Sequence, residues 1–160
     1  MLITDIHSPE RESYASVADL RQLASKRGEP LPTEDIACEA LLIKAMDYLA
    51  GLHWQGKRTI ASQPLAWPRS GVIVEGDLLP QNSLPSQLIQ AQCRLALAAQ
   101  QMDLTPAFAG GKDVVQESIA GAVSVTYAAG SPALSPHFSG LKGLLRGLLV
   151  SSSQIPLVRR

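Results

Sequence analysis

The residues whose types and spacing offer chemistry lie between Trp54 and Val72, WQGKRTIASQPLAWPRSGV. Both tryptophans, Trp54 and Trp67, fall in this stretch, together with Lys57, Arg58 and Arg69 and little acid nearby. Large rings beside cations suit two kinds of recognition. Single-stranded nucleic acid stacks its bases on aromatic faces while cations track its phosphates. Protein interfaces use Trp and Arg as anchors, and an Arg fork fits a neighbour's carboxylate. Trp54-x-x-Lys57-Arg58 and Trp67-x-Arg69 meet the first pattern loosely. A third reading is packing: a long loop folds back, the rings pin it to the helices, and the cations pair with acidic helix faces. The residues alone leave all three open.

No other constellation carries a reaction. Glu34, Asp35, Glu39 and Asp47 share one expected helix, with Glu39 and Asp47 two turns apart on roughly one side. A paired-carboxylate site is conceivable there, but a solvated face is the simpler reading. No Ser sits in a G-x-S-x-G turn. Gly110-Gly111-Lys112 lacks the spacing and the hydroxyl of a phosphate-cradling loop. His7, His53 and His137 are scattered singly, which argues against a metal site. His53 reads as a helix-terminal residue favoured by the dipole. Cys38 and Cys93 lie among Ala, Leu and Ile in expected helices and read as small buried hydrophobes. The expectation is of no enzyme, no catalytic residue, no cofactor and no metal.

Bulk properties narrow the partners. A chain of 160 residues suits one domain with an extended arm. Basic and acidic residues balance at 14 each, against the basic excess usual in proteins that grip duplex phosphates. A local basic patch stays compatible with that balance. No apolar run reaches the roughly 18–20 residues that cross a membrane, so no membrane partner is expected. MLITDIHSPERES has no basic start followed by an apolar core, so no secretory signal is read and the cytoplasm is the expected place of synthesis.

The elements that must position the Trp-rich stretch are mostly helical. Residues 1–15 read as an extended arm. Ser16 opens a helix with Asp19 near the capping-box position, and Gly28 stops it after Lys26-Arg27. Thr33 is the expected N-cap of a second helix running to about Gly51. Its stripes read as Ile36, Ala40, Ile43 and Ala37, Leu41, continued by Met46 and Leu49, wide enough for a central helix. Gly56, Pro64 and Pro68 then forbid a continuous helix. Residues 72–84 read as loop. Ser83 or Ser86 caps a third helix to about Met102, with Leu88, Gln92, Leu95 and Ala99 down one side and Ile89, Cys93 and Ala96 widening it. Val114–Tyr127 alternates partly and reads as a bent strand or a hairpin with Gly121 at a bulge or turn. Ser139–Val150 reads as a short helix in which Gly143 and Gly147 let another backbone come close. The segment from Leu148 to Arg160 ends in apolar Ile155, Leu157 and Val158, kept extended by Pro156, and in Arg159-Arg160. Such a segment can add to another chain as a strand or dock in a groove.

The expected fold is therefore mainly α. It is a small helical bundle with a long central loop, a small β-strand or hairpin element, and a C-terminal helix plus extended tail. One domain spans 1–160: arm 1–15, helical core 16–105 with loop 54–83, β element 112–128, and C-terminal helix and tail 139–160.

The pattern Trp54-x-Gly56-Lys57-Arg58-Thr59, then Gln63-x-Leu65-x-Trp67-Pro68-Arg69-x-Gly71-Val72, resembles a family of tailed-bacteriophage proteins. They often carry the label "DnaT-like single-stranded-DNA-binding", and many look like head–tail connector (adaptor) proteins. Ser13-Tyr14-Ala15, the Gly28 break, Glu117–Tyr127 and the closing Leu144-Leu145 and Leu148-Leu149 pairs resemble the family too. The resemblance implies a structural adaptor in the virion neck, at the head–tail interface, acting by assembly. Its partners would be further copies in a dodecameric ring, the portal protein, and a downstream tail or stopper protein. Genomic double-stranded DNA would pass through the lumen without sequence-specific binding, which zero net charge suits. Its interface residues would come from Trp54, Lys57, Arg58, Trp67, Arg69, Ile155, Leu157, Val158, Arg159 and Arg160. The alternative is a single-stranded-DNA-binding protein of phage replication, motivated by the Trp and basic loop.

Overall fold

The computed structural model describes residues 1–105 and 138–150 (Ser139 by its backbone alone), and the backbone of 116–119 and 123–126. The fold is mainly α, as the periodicity requires: α1 (Val17–Arg27), α2 (Asp35–Ala50), α3 (Ser86–Ala98) and α4 (Ser139–Leu144). Helices α2 and α3 form the most extensive pair, α1 packs on both, and α4 packs against α3. Three antiparallel two-stranded ribbons complete the described residues: β1 (Lys57–Arg58) with β2 (Arg69–Ser70), β3 (Ile73–Val74) with β4 (Asp77–Leu78), and β5 (Gln116–Ile119) with β6 (Val123–Thr126).

The limits of α1 follow from its sequence. The Ser16 hydroxyl accepts from the Asp19 N–H, and the Asp19 carboxylate accepts from the Ser16 N–H, which completes the capping box. Gly28 ends the helix at φ +67°, where a side chain would be strained. Helix α2 departs from expectation. Its N-cap is Glu34, with no side-chain cap bond, rather than Thr33. Its buried face is Cys38, Leu41, Leu42, Ala45, Met46, Tyr48 and Leu49. Ile36 and Ala40, read as part of the apolar stripe, face solvent. This helix is apolar on most of its circumference, so periodicity alone does not choose the face.

Helix α3 begins at Ser86 with Pro85 at the cap position and no side-chain cap bond, so neither Ser83 nor Ser86 caps it. Leu88, Gln92, Leu95 and Ala99 are buried down one side, as read. The β5–β6 pair is the hairpin alternative for 114–127, with register Gln116↔Thr126 to Ile119↔Val123; Gly121 lies outside the described residues. Helix α4 is shorter than its sequence suggests, ending at Leu144 and followed by turns to Leu148.

The N-terminal arm is not extended. It turns at residues 6–7 and 9–10 and returns so that the Glu12 N–H donates to the Ile3 carbonyl at 2.9 Å. Glu39 on α2 holds its start: its carboxylate accepts from the Leu2 N–H and lies 3.6 Å from the terminal ammonium. The two carboxylates read on one side of α2 thus do not form a paired site: Glu39 is fixed to the arm, and Asp47 is exposed as the solvated-face reading has it.

The core is one continuous cluster that joins the buried faces of α2 and α3 to Trp54, Trp67, Val72, Leu145 and Leu148. The central loop is therefore part of the core rather than an appendage. Cys38 and Cys93 are both free and buried in it. Burial pushes the Cys93 thiol up to about 12, with a smaller contribution from Asp19.

Candidate functional site

The Trp-rich loop is built from the inside outward. Trp54 and Trp67 meet edge to face, with centroids 5.9 Å apart and planes at 86°. Their relative exposures are 8% and 1%, so neither ring presents a face on which a base could stack. The Trp67–Pro68 peptide is cis. The Trp67 N–H donates to the Tyr14 hydroxyl at 3.3 Å, which ties the loop to the end of the arm. Tyr14 is held by α3: its N–H and that of Ala15 donate to Gln92 Oε1 at 3.0 and 2.8 Å. Gln92 Nε2 donates to Ser13 Oγ and to the Leu42 carbonyl. One fully buried amide thus joins arm, α2 and α3, and through Tyr14 the loop. Burial holds the Tyr14 phenol above its ordinary range.

Arg69 turns inward as well. Its guanidinium donates to the carbonyls of Gln55, Ala66, Trp54 and Gly56. Burial, and then repulsion from Arg58, lower its pKa. Sequence reasoning paired this cation with acids of the same or a neighbouring chain. The structure gives it backbone oxygens instead, because a folded-back loop leaves carbonyls with no ladder partner. Gln63 does similar work: its Nε2 donates to the Leu65 and Pro68 carbonyls and its Oε1 accepts from the Ile60 N–H. Gly56 is required here. It sits at φ +67°, and a Cβ would collide with the Ser70 carbonyl oxygen and approach Val72 Cγ2 to 2.9 Å.

The root of the loop is closed by the chain's late segment. The Gln55 N–H donates to the Leu148 carbonyl and the Val150 N–H to the His53 carbonyl, both at 2.9 Å. Trp54 and Leu149 form the bridge between them. Leu148–Val150, read as the start of a partner-binding tail, is thus paired within the chain. Gly147 beside it lies at φ +84°, and a Cβ there would stand 3.2 Å from Val74 Cγ1. The approach of another backbone read for the Gly143–Gly147 pair is not found: the nearest neighbour of Gly147 is the Val74 side chain, and Gly143 has open space among the described residues. Ile155, Leu157, Val158, Arg159 and Arg160 lie outside the described residues.

What the loop presents outward is different. Lys57 and Arg58, paired in register with Ser70 and Arg69, are exposed. Beside them in sequence Ile60 is 61% exposed, and the β3–β4 hairpin carries Ile73 and Leu78, cross-strand partners at 55% and 68%. Thr59 Oγ1 donates to the Gln81 carbonyl at 2.7 Å, which brings the β1 end of the loop against the segment after β4. The hairpin turns through Glu75 at φ 54° and Gly76 at φ 96°, the two positive angles that suit strand twist. Of the interface residues read from sequence, the structure thus separates an outer pair, Lys57 and Arg58, from an inner trio, Trp54, Trp67 and Arg69. Sequence reasoning missed Gln92 as a polar hub and Tyr14 as the loop's anchor. It missed Arg11 too, which is buried with its Nε on the Ser13 carbonyl and its guanidinium 5.2 Å over the Tyr14 ring.

No curated protein and no solved structure matches the chain. One family model, described as "Putative DnaT-like ssDNA binding protein", matches it over residues 1–160. With its whole length accounted for by that match, the chain belongs to the DnaT-like ssDNA-binding protein family.

Proposed function

We propose that this chain is an assembly subunit of a tailed phage, a head–tail connector that forms a ring under the portal, and that its work is docking rather than catalysis. The observation that carries this reading is the direction in which the loop spends its chemistry. Both rings bury against each other and Arg69 is saturated by carbonyls, while a mixed apolar and basic face remains outside. Exposed Ile, Leu, Lys and Arg on a rigid mount suit a protein partner better than stacked bases. Zero net charge agrees with a wall that DNA passes without sticking. Cryo-electron microscopy of tail-bearing particles tests it. Density for this chain in a ring below the portal is the expected result, and its absence from particles would sink the reading.

A second reading is single-stranded-DNA binding, and the family description favours it over the connector. On this fold it would rely on Lys57 and Arg58 along the phosphates, without the tryptophans as stacking platforms. It requires oligonucleotide binding that weakens steeply with salt.

A further inference from the structure

Two surfaces away from the loop complement each other. The first is a groove of about 420 Å³ between α1 and α3, with Leu23 and Ile89 in its lining and Lys26 and Arg27 at its edge. Asp19, also in the lining, is taken by the capping box. Neither Lys26 nor Arg27 makes an ion pair among the described residues, nor does Arg94 next to the groove on α3, whose buried Nε has no hydrogen-bond partner there. Arg94 and Arg27 repel one another. The groove thus combines apolar Leu23 and Ile89 with a net positive charge, the cations Lys26, Arg27 and the neighbouring Arg94 set against the single carboxylate of Asp19.

The second surface is the start of α2. Ile36 stands 80% exposed, beside exposed Glu34 and Asp35. An isoleucine this open in the first turn of a helix contributes little to its own fold. Arg21 fixes where the knob lies: its guanidinium bonds Asp35 at 2.7 Å and the Thr33 carbonyl. At 3.6 residues per turn, Arg21 lies across α1 from Leu23 and Lys26, which line the groove. Knob and groove therefore sit on opposite sides of one helix.

We infer that the Ile36 knob of one copy docks in the α1–α3 groove of the next, with Glu34 meeting Lys26 and Arg27. The occupant is a second copy of this chain because the charges and the apolar surfaces match in sign and kind. Opposite placement makes the contact heterologous, so each copy uses both surfaces and the association continues into a ring or a filament. This contact rests on the assembly reading and gives it a specific interface.

The test uses the full chain with C38A and C93A, which remove the native thiols, and with I36C and Q90C, placing one thiol at the knob and one at the groove. Mild oxidation of the double variant is expected to give a ladder of covalent oligomers, with each single variant stopping at dimers or below. A ladder needs two different sites per chain. Ile36→Glu is expected to weaken self-association roughly 30-fold in sedimentation velocity. R27E and E34R, each defective alone, are expected to associate when mixed; both positions are exposed, and circular dichroism checks that each variant keeps its helices. A double variant that stops at dimers, or an I36E chain that associates like wild type, overturns the contact. A ring on particles without a ladder removes this contact and keeps the connector, whereas a ladder with no ring on particles keeps the contact and removes the connector.

Discussion

The Trp-rich loop and the α1–α3 groove divide the molecule's chemistry in opposite ways. The loop holds both tryptophans and three cations, yet its rings and one of those cations are consumed by packing and by backbone carbonyls. The groove is lined by ordinary helical residues, yet it leaves Lys26, Arg27 and Arg94 without acidic partners among the described residues. Unusual residue types mark where a chain needs help to hold an irregular backbone. Free charge beside apolar surface is where we propose that it meets a second copy.

The comparison breaks first at Trp67. If its ring is scaffold, Trp67→Ala costs about 3–5 kcal/mol of stability, the range for emptying a large core site, and lowers the denaturant midpoint in urea unfolding. A variant of wild-type stability would place the ring outside the core. Arg69→Ala comes next. Leaving several part-buried carbonyls without donors costs about 1–3 kcal/mol, and Arg69→Lys recovers little, because one ammonium cannot reach carbonyls spread over residues 54–66. Thermal melts of both variants decide it; full rescue by Lys would reduce Arg69 to a simple charge.

Gln92→Leu sharpens the contrast between seen and unseen polar residues. It fits the volume but strands the Tyr14 and Ala15 N–H groups, at roughly 1–3 kcal/mol, and loosens the loop through Tyr14. Faster amide exchange at Trp67 in Gln92→Leu is the expected signature. By contrast, Lys57→Ala with Arg58→Ala changes stability by no more than about 0.5 kcal/mol. On the proposed reading its effect falls on partner binding, read by loss of rings from particles at unchanged melting temperature.

A separate effect is confined to high pH. Cys93 in the unfolded chain ionises near its ordinary 9.0, whereas in the fold it stays protonated up to about 12. Between those values the unfolded state binds fewer protons, so Cys93 contributes stability below pH 9 that is lost as pH rises toward 12. Cys93→Ala flattens that alkaline slope of the unfolding free energy; an unchanged slope would mean the thiol titrates normally.

How much of this was legible depends on the range of the interactions. Helix α1 is written in adjacent residues, Ser16 and Asp19 at one end and Gly28 at the other, and reads correctly. The buried side of α3 is equally plain because polar residues alternate with it. Helix α2 is not, since apolar residues surround it and only the placement of α1 and α3 decides that Leu42 is inside and Ile36 outside. The position of Gln92 on a buried face is legible, but its partners Ser13, Tyr14, Ala15 and Leu42 are distant in sequence and give no local signal. The same holds for Arg69. Its donor fork is visible in sequence, while the carbonyls it finds exist only once the loop has closed on Leu148–Val150.

The central claim is that Trp54 and Trp67 bind each other and not bases. Intrinsic fluorescence reads it directly, since these are the chain's two tryptophans. Titrating single-stranded oligonucleotide at low salt should leave the indole emission unchanged. Quenching that saturates with oligonucleotide and is reversed by salt would contradict the account and return the loop to a base-stacking platform.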